Sequence, residues 1–250
     1  MKSVNIFFEK KPLKMICLGF SSGLPILLVF STLSVWLVKA GISRSTVTLF
    51  SWAGFAYAFK YLWSPLVDNY KLPIFKKFGH RRSWLLFSQF LIIIALILTA
   101  FTDPKESLFF TALFITILAF FSATQDILID AFRIESAPQS LQGPLSSMYI
   151  AGYRIAMLVA GAGSLWLASF FGTEIYDQNV WKKVYLIMSL FMFVGVFATF
   201  ISDEPKLKRN LNSDNHVKFL MTIFIAVIGF IYLYSVIDLS LIHISEPTRQ

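Results

Sequence analysis

Thiol and imidazole side chains are nearly missing from this chain. It has one cysteine, Cys17, which excludes an internal disulfide and a cysteine metal cluster. Its three histidines, His80, His216 and His243, are scattered, so no metal site and no cofactor-holding cluster is readable. Charge is also scarce. Only 14% of residues are charged, and 14 acids face 22 bases. The resulting net charge of +8 would suit nucleic acid, but the bases sit in short loops between apolar runs. That pattern belongs to topogenic signals, not to a nucleic-acid-binding face. Apolar residues are what the chain has in quantity. Hydrophobic residues make up 56%, Phe occurs 27 times, and the mean hydropathy is +0.68. The expected setting is a lipid bilayer.

Roughly 20 apolar residues span the hydrocarbon core. Seven windows qualify: Met15–Val38, Val47–Val67, Ser83–Thr102, Leu108–Phe132, Ser146–Phe170, Trp181–Ile201 and Phe219–Ile237. The first follows Lys10, Lys11, Pro12 and Lys14 and is longer than the roughly 7–15-residue core of a signal peptide, so it reads as a spanning helix. Fourteen Lys and Arg flank the spans on the side of the N-terminus and five on the other. The positive-inside rule then puts the N-terminus and the basic 68–82 loop in the cytoplasm. The expected fold is all-α and polytopic. Residues 1–201 form a six-helix bundle, 202–218 a cytoplasmic loop, and 219–238 a seventh span. The segment Leu239–Arg249 resembles the translated reading of a transposase sequencing adapter. Residues 239–250 are therefore set aside as a non-native tail, with a genuine short polar tail as the alternative. On the adapter reading, the chain is the front part of a longer protein.

Charges inside the spans are the chemical signal, because they are costly there and usually functional. Asp126 and Asp130, four residues apart, lie on one helix face. At the helical rise per residue, Asp126 falls roughly 9 Å from the cytoplasmic edge, Lys60 roughly 10 Å and Arg154 roughly 12 Å. Gln89 shares that level. Two acids and two bases in one layer suggest a polar cavity in which Asp126 or Asp130 exchanges protons. The alternative is a static ionic clamp, with Asp130 pairing with Arg81 or Arg82. Gln89, Gln125 and Tyr153 are candidates to line a substrate path, although Tyr153 could simply pack. Small residues four apart in Gly19-Phe20-Ser21-Ser22-Gly23 permit close helix approach, with a kink after Pro25.

Asp68, followed by a basic loop ending Gly79-His80-Arg81-Arg82, resembles the cytoplasmic gate motif of the major facilitator superfamily. Ser64 stands where that motif usually has Gly, and the spacer is longer. Within the superfamily, the chain is similar to the AmpG-type muropeptide permeases. The similarity rests on Leu18–Pro25, Lys60–Asp68, Ala123–Ala131 and Gly152-Tyr153-Arg154. It implies a proton symporter of a bacterial inner membrane that imports anhydromuropeptides from cell-wall turnover, with the acidic pair on Asp126 and Asp130. It also implies a second six-helix half, without which residues 1–238 would not transport. A related acetyl-coenzyme A transporter branch leaves a second cargo open. A membrane-embedded phosphotransferase is the alternative from another class. Its motif shares two aspartates at this spacing but needs an upstream Asp-Gly, and Gly where Ser122 stands.

Overall fold

Every regular element that the computed structural model describes, over residues 10–73, 76–172 and 176–205, is helical. In chain order these are α1 (Lys11–Lys39), the short α2 (Arg44–Leu49), α3 (Gly54–Ala58) and α4 (Ser64–Asn69), then α5 (His80–Ala100), α6 (Leu108–Ser136), α7 (Gln139–Phe171) and α8 (Gln178–Ile201). Five of them, α1 and α5 to α8, are long and apolar enough to cross a membrane. They match five of the seven expected windows within a few residues at most ends. The seventh window, 219–237, lies outside the described residues.

The second window differs. In place of one helix it is a series of short pieces, with 3₁₀ turns at Phe50–Ala53 and Lys60–Leu62. Phe59 leaves helical geometry, with φ −101° and ψ 10°, and Trp63 sits at the edge of the helical region, with φ −105° and ψ −2°. Part of the cause is local. Pro65 has no N–H to give the carbonyl of Tyr61 four residues back. The Ser64 hydroxyl donates to that carbonyl instead, at 3.1 Å. The pieces are held from outside the segment: Trp63 Nε1 donates to Thr124 Oγ1 at 3.1 Å, and its ring packs 4.8 Å from Phe120. Residues 65–71, including most of α4, belong to a second compact unit. Within it the Asn69 amide donates to the Pro65 carbonyl at 2.7 Å.

The closest helix pair is α1 with α7. A Cβ on Gly19 would lie 2.1 Å from the Tyr149 carbonyl oxygen, one on Gly23 2.4 Å from that of Tyr153, and one on Gly152 2.0 Å from that of Ile16. The two backbones therefore touch directly, which is what small residues four apart allow. Both helices carry a π-turn, at Leu28–Thr32 and Val159–Gly163. A π-turn disturbs the regular backbone bonding, and side chains tie the two together. Thr32 Oγ1 donates to the Ala160 carbonyl at 2.8 Å and meets Ser164 Oγ at 2.9 Å. The Tyr185 hydroxyl donates to the Leu28 carbonyl at 3.0 Å. At the non-cytoplasmic end expected from the charge count, Trp36 stacks on Trp181 at 5.8 Å, and Tyr176 donates to Asp103 at 2.8 Å.

Candidate functional site

Asp126 lies in the middle of the long apolar α6 and is only 8% exposed. Two neighbours from other elements reach its carboxylate. Ser22 Oγ, from the glycine-flanked stretch of α1, donates to Oδ1 in a short hydrogen bond. Lys60 Nζ, from the 3₁₀ turn between α3 and α4, lies 3.6 Å from Oδ2. The Ser22 hydroxyl also meets the Tyr149 hydroxyl at 2.9 Å. Because the single Ser22 proton goes to Asp126, Tyr149 is the donor in that second bond. The result is a relay from Tyr149 through Ser22 to Asp126, with Lys60 on the carboxylate's other oxygen. Tyr153, one turn on from Tyr149, is within electrostatic reach of Asp126 and of Arg154. The buried hydroxyls of Tyr57 and Ser122 lie side by side without hydrogen-bonding geometry, and Asp126 is within electrostatic reach of Tyr57.

The two glutamines stand behind this group, fully buried among α1, α5, α6 and α8. Gln125 Nε2 donates to Ser21 Oγ at 3.2 Å, and Gln89 Oε1 accepts from Thr199 Oγ1 at 3.1 Å. Each amide leaves its other end without a partner. The small size of Gly195 draws α8 into the cluster, since a Cβ there would lie 2.3 Å from Ser21 Cβ and 3.2 Å from Gln89 Nε2.

Asp130 does not pair with Arg81 or Arg82. Its partner is Arg133 of the same helix, at 3.5 Å, and its side chain is about half exposed (47%). The reason is that α6 continues past the expected end at Phe132 to Ser136, which puts Arg133 one turn from Asp130. Arg81 has a carboxylate of its own: its Nη2 and Nε donate to the two oxygens of Glu135 at 2.8 and 3.1 Å. Arg82 donates to the carbonyls of Thr199 and Phe200 at 3.0 and 2.6 Å, closing the end of α8. Glu204 accepts the backbone N–H groups of Arg81 and Arg82 at 2.7 and 3.0 Å. A carboxylate is well placed at a helix N-terminus, where those N–H groups have no partner inside the helix. Gly79 precedes them at φ +90°, and a Cβ there would lie 2.4 Å from Glu204 Cγ, so the position requires glycine twice over. Asp68 lies in the separate unit of residues 65–71.

The sequence pattern pointed to Lys60 and Asp126, which the structure pairs, and to Tyr153 nearby; it also set Arg154 in the same layer, where the structure leaves it exposed with no ion pair to a described residue. It missed Ser22, Tyr57, Ser122 and Tyr149 at the same place, and Glu135 and Glu204 at the helix ends. Tyr149 carried one usable signal, since it lies four residues before Tyr153 and so shares its face.

A family model described as Major Facilitator Superfamily matches residues 11–245. The protein named Putative transporter AmpG 4 of Rickettsia felis is 36% identical over 226 residues, covering 89% of this chain and 53% of that protein. The Anhydromuropeptide permease of Escherichia coli strain K12 is 36% identical over 203 residues, covering 81% of this chain and 39% of the permease. Putative transporter AmpG 3 of Rickettsia prowazekii is also 36% identical over 203 residues, covering 79% of this chain and 46% of that protein. The chain spans about half the length of the curated relatives it matches. With its five long apolar helices, this makes it a polytopic membrane protein.

Proposed function

The chain belongs to the Major Facilitator Superfamily, and from that premise we propose that it is the front half of a proton-coupled importer of anhydromuropeptides. The Escherichia coli relative named as a permease for that cargo supports the substrate class. Family membership also replaces the phosphotransferase alternative with transport. The carrying observation is Asp126, a carboxylate at membrane depth held jointly by Lys60 and by the Tyr149–Ser22 relay. Binding a proton cancels the charge that draws Lys60 in. Proton occupancy and the Lys60–Asp126 contact therefore oppose one another, and a rearrangement that separates the pair would change the proton's affinity. Tyr153 borders the substrate path in this reading. Gln89 and Gln125 form the polar wall behind it. Arg133 neutralises Asp130 at the rim, while Gly79, Arg81 and Arg82 belong to the cytoplasmic gate, and Asp68 is the acid of the same sequence motif.

The protein's place is an inner membrane, with the N-terminus cytoplasmic, as the excess of Lys and Arg on that side favours. Transport requires a second half, because transporters of this class bind substrate between two halves that rock against each other. The half-length coverage of the relatives supports that requirement. The test is Asp126→Asn in the whole protein. Membrane insertion should remain normal and accumulation against a gradient should cease. Normal gradient-driven accumulation would remove Asp126 as the coupling group.

A further inference from the structure

Charges at membrane depth do not balance once their partners are known. By sequence, Asp126 and Asp130 offset Lys60 and Arg154. In the structure Lys60 lies on Asp126 and Arg133 on Asp130. Both acids of the layer are therefore matched without Arg154. Arg154 is exposed and makes no ion pair with any described residue. It is also on the least covered span. The apolar window of α7 is 22% buried, against 50–67% for the other four spans. Its exposed neighbours Ile150, Ile155 and Leu158 offer it nothing polar. An arginine cannot shed its charge, so at this depth it needs an anion from outside the described residues. Tyr153, its neighbour in the chain, is within electrostatic reach of both Arg154 and Asp126.

We propose that Arg154 is the cargo's carboxylate-binding residue, its planar fork taking a free carboxylate of the substrate in two parallel hydrogen bonds. This rests on the transport reading above and assigns Arg154 to the cargo in place of the proton. Guanidinium–carboxylate pairs of this kind are stronger and more directional than neutral hydrogen bonds. Lys60 is unsuited to the role because Asp126 already occupies it. The inferred site is therefore cationic by one charge, and it selects solutes that carry an acid at the end facing α7.

The experiment compares two probes on the purified whole protein by equilibrium binding and in cells by uptake. One is an anhydromuropeptide with free peptide carboxylates; the other is the same molecule with those carboxylates amidated. Wild type should bind the acid at least about tenfold more tightly than the amide, one charge-assisted pair being enough for that. R154Q should bring the acid down to the amide's affinity and leave the amide nearly unchanged. R154K, which keeps the charge and loses the fork, should fall between. Equal weakening of both probes in R154Q, or no preference in wild type, overturns the assignment and leaves transport standing. Wild type that binds and takes up neither probe overturns the cargo reading and this assignment together. Should R154Q fail to insert, R154K decides: a preference as strong as wild type's overturns the role of the fork.

Discussion

A carboxylate with only a serine to hold it is a poor thing to leave inside a membrane protein, and that is what Lys60→Ala would do to Asp126. Breaking a fully buried pair from one side costs about 3–5 kcal/mol. Lys60 keeps a third of its side chain exposed, so the expected loss is smaller, about 1–3 kcal/mol. It should appear as a lower thermal midpoint in detergent. Adding Asp126→Asn should recover most of that loss, because the two changes remove one interaction. Strict additivity in the double variant would mean that the two side chains do not act as a pair. Asp126 and Lys60 were legible because a charge stands out in an apolar run. Ser22 and Tyr149 were not. Hydroxyls are ordinary in spanning helices, and their role comes from partners 104 and 127 residues away along the chain. Arg133 was not legible as the partner of Asp130 for a different reason. It follows the last apolar residue of its window and so counted as a loop charge, whereas hydrogen bonding carries the helix one turn further.

Five of the long helices were readable because 18 or more apolar residues in a row admit few other structures. The broken 44–69 segment was not. Hydropathy reports the environment of a stretch and says little about the geometry of its backbone, and of the features that interrupt it only Pro65 is a strong local signal. The glycines of α1 were legible as contact residues, but their partner helix was not. Their effect is testable. Gly152→Ala puts a methyl carbon 2.0 Å from the Ile16 carbonyl oxygen, a backbone atom with nowhere to go. It should cost several times the roughly 1 kcal/mol gained from alanine's better helix propensity. Gly143→Ala, with nothing within 4 Å, should be neutral or slightly stabilising. Thermal unfolding of the two variants in the same detergent makes the comparison. Tyr185→Phe removes the donor to the Leu28 carbonyl at the π-turn of α1. The expected cost is about 0.5–1.5 kcal/mol, that of one intramolecular hydrogen bond.

Two outcomes belong to the molecule as a whole. The first is orientation. With Cys17 replaced by alanine, a cysteine at Lys105 should react with an impermeant maleimide added outside intact spheroplasts. One at Lys77 should react only after the membrane is opened. The reverse pattern would invert the topology drawn from the loop charges. The second is autonomy. Cells making only residues 1–238 should insert the protein and fail to accumulate labelled muropeptide, and uptake by them would show that this half suffices. Sequence could carry this scale only through charge counts and span lengths. It could not show which helices touch. That contact has a last implication. Where α1 and α7 meet, carbonyl oxygens nest against bare α-carbons at Gly19, Gly23 and Gly152. A slip of one turn in either direction would drive Met15 or Leu27 into those oxygens. The two rods are therefore keyed together like a shaft and its spline, and on the transport reading the serine on one should stay opposite the tyrosine on the other as the molecule changes shape. Hinges belong elsewhere in the bundle, and a cross-link between these two helices should leave turnover untouched.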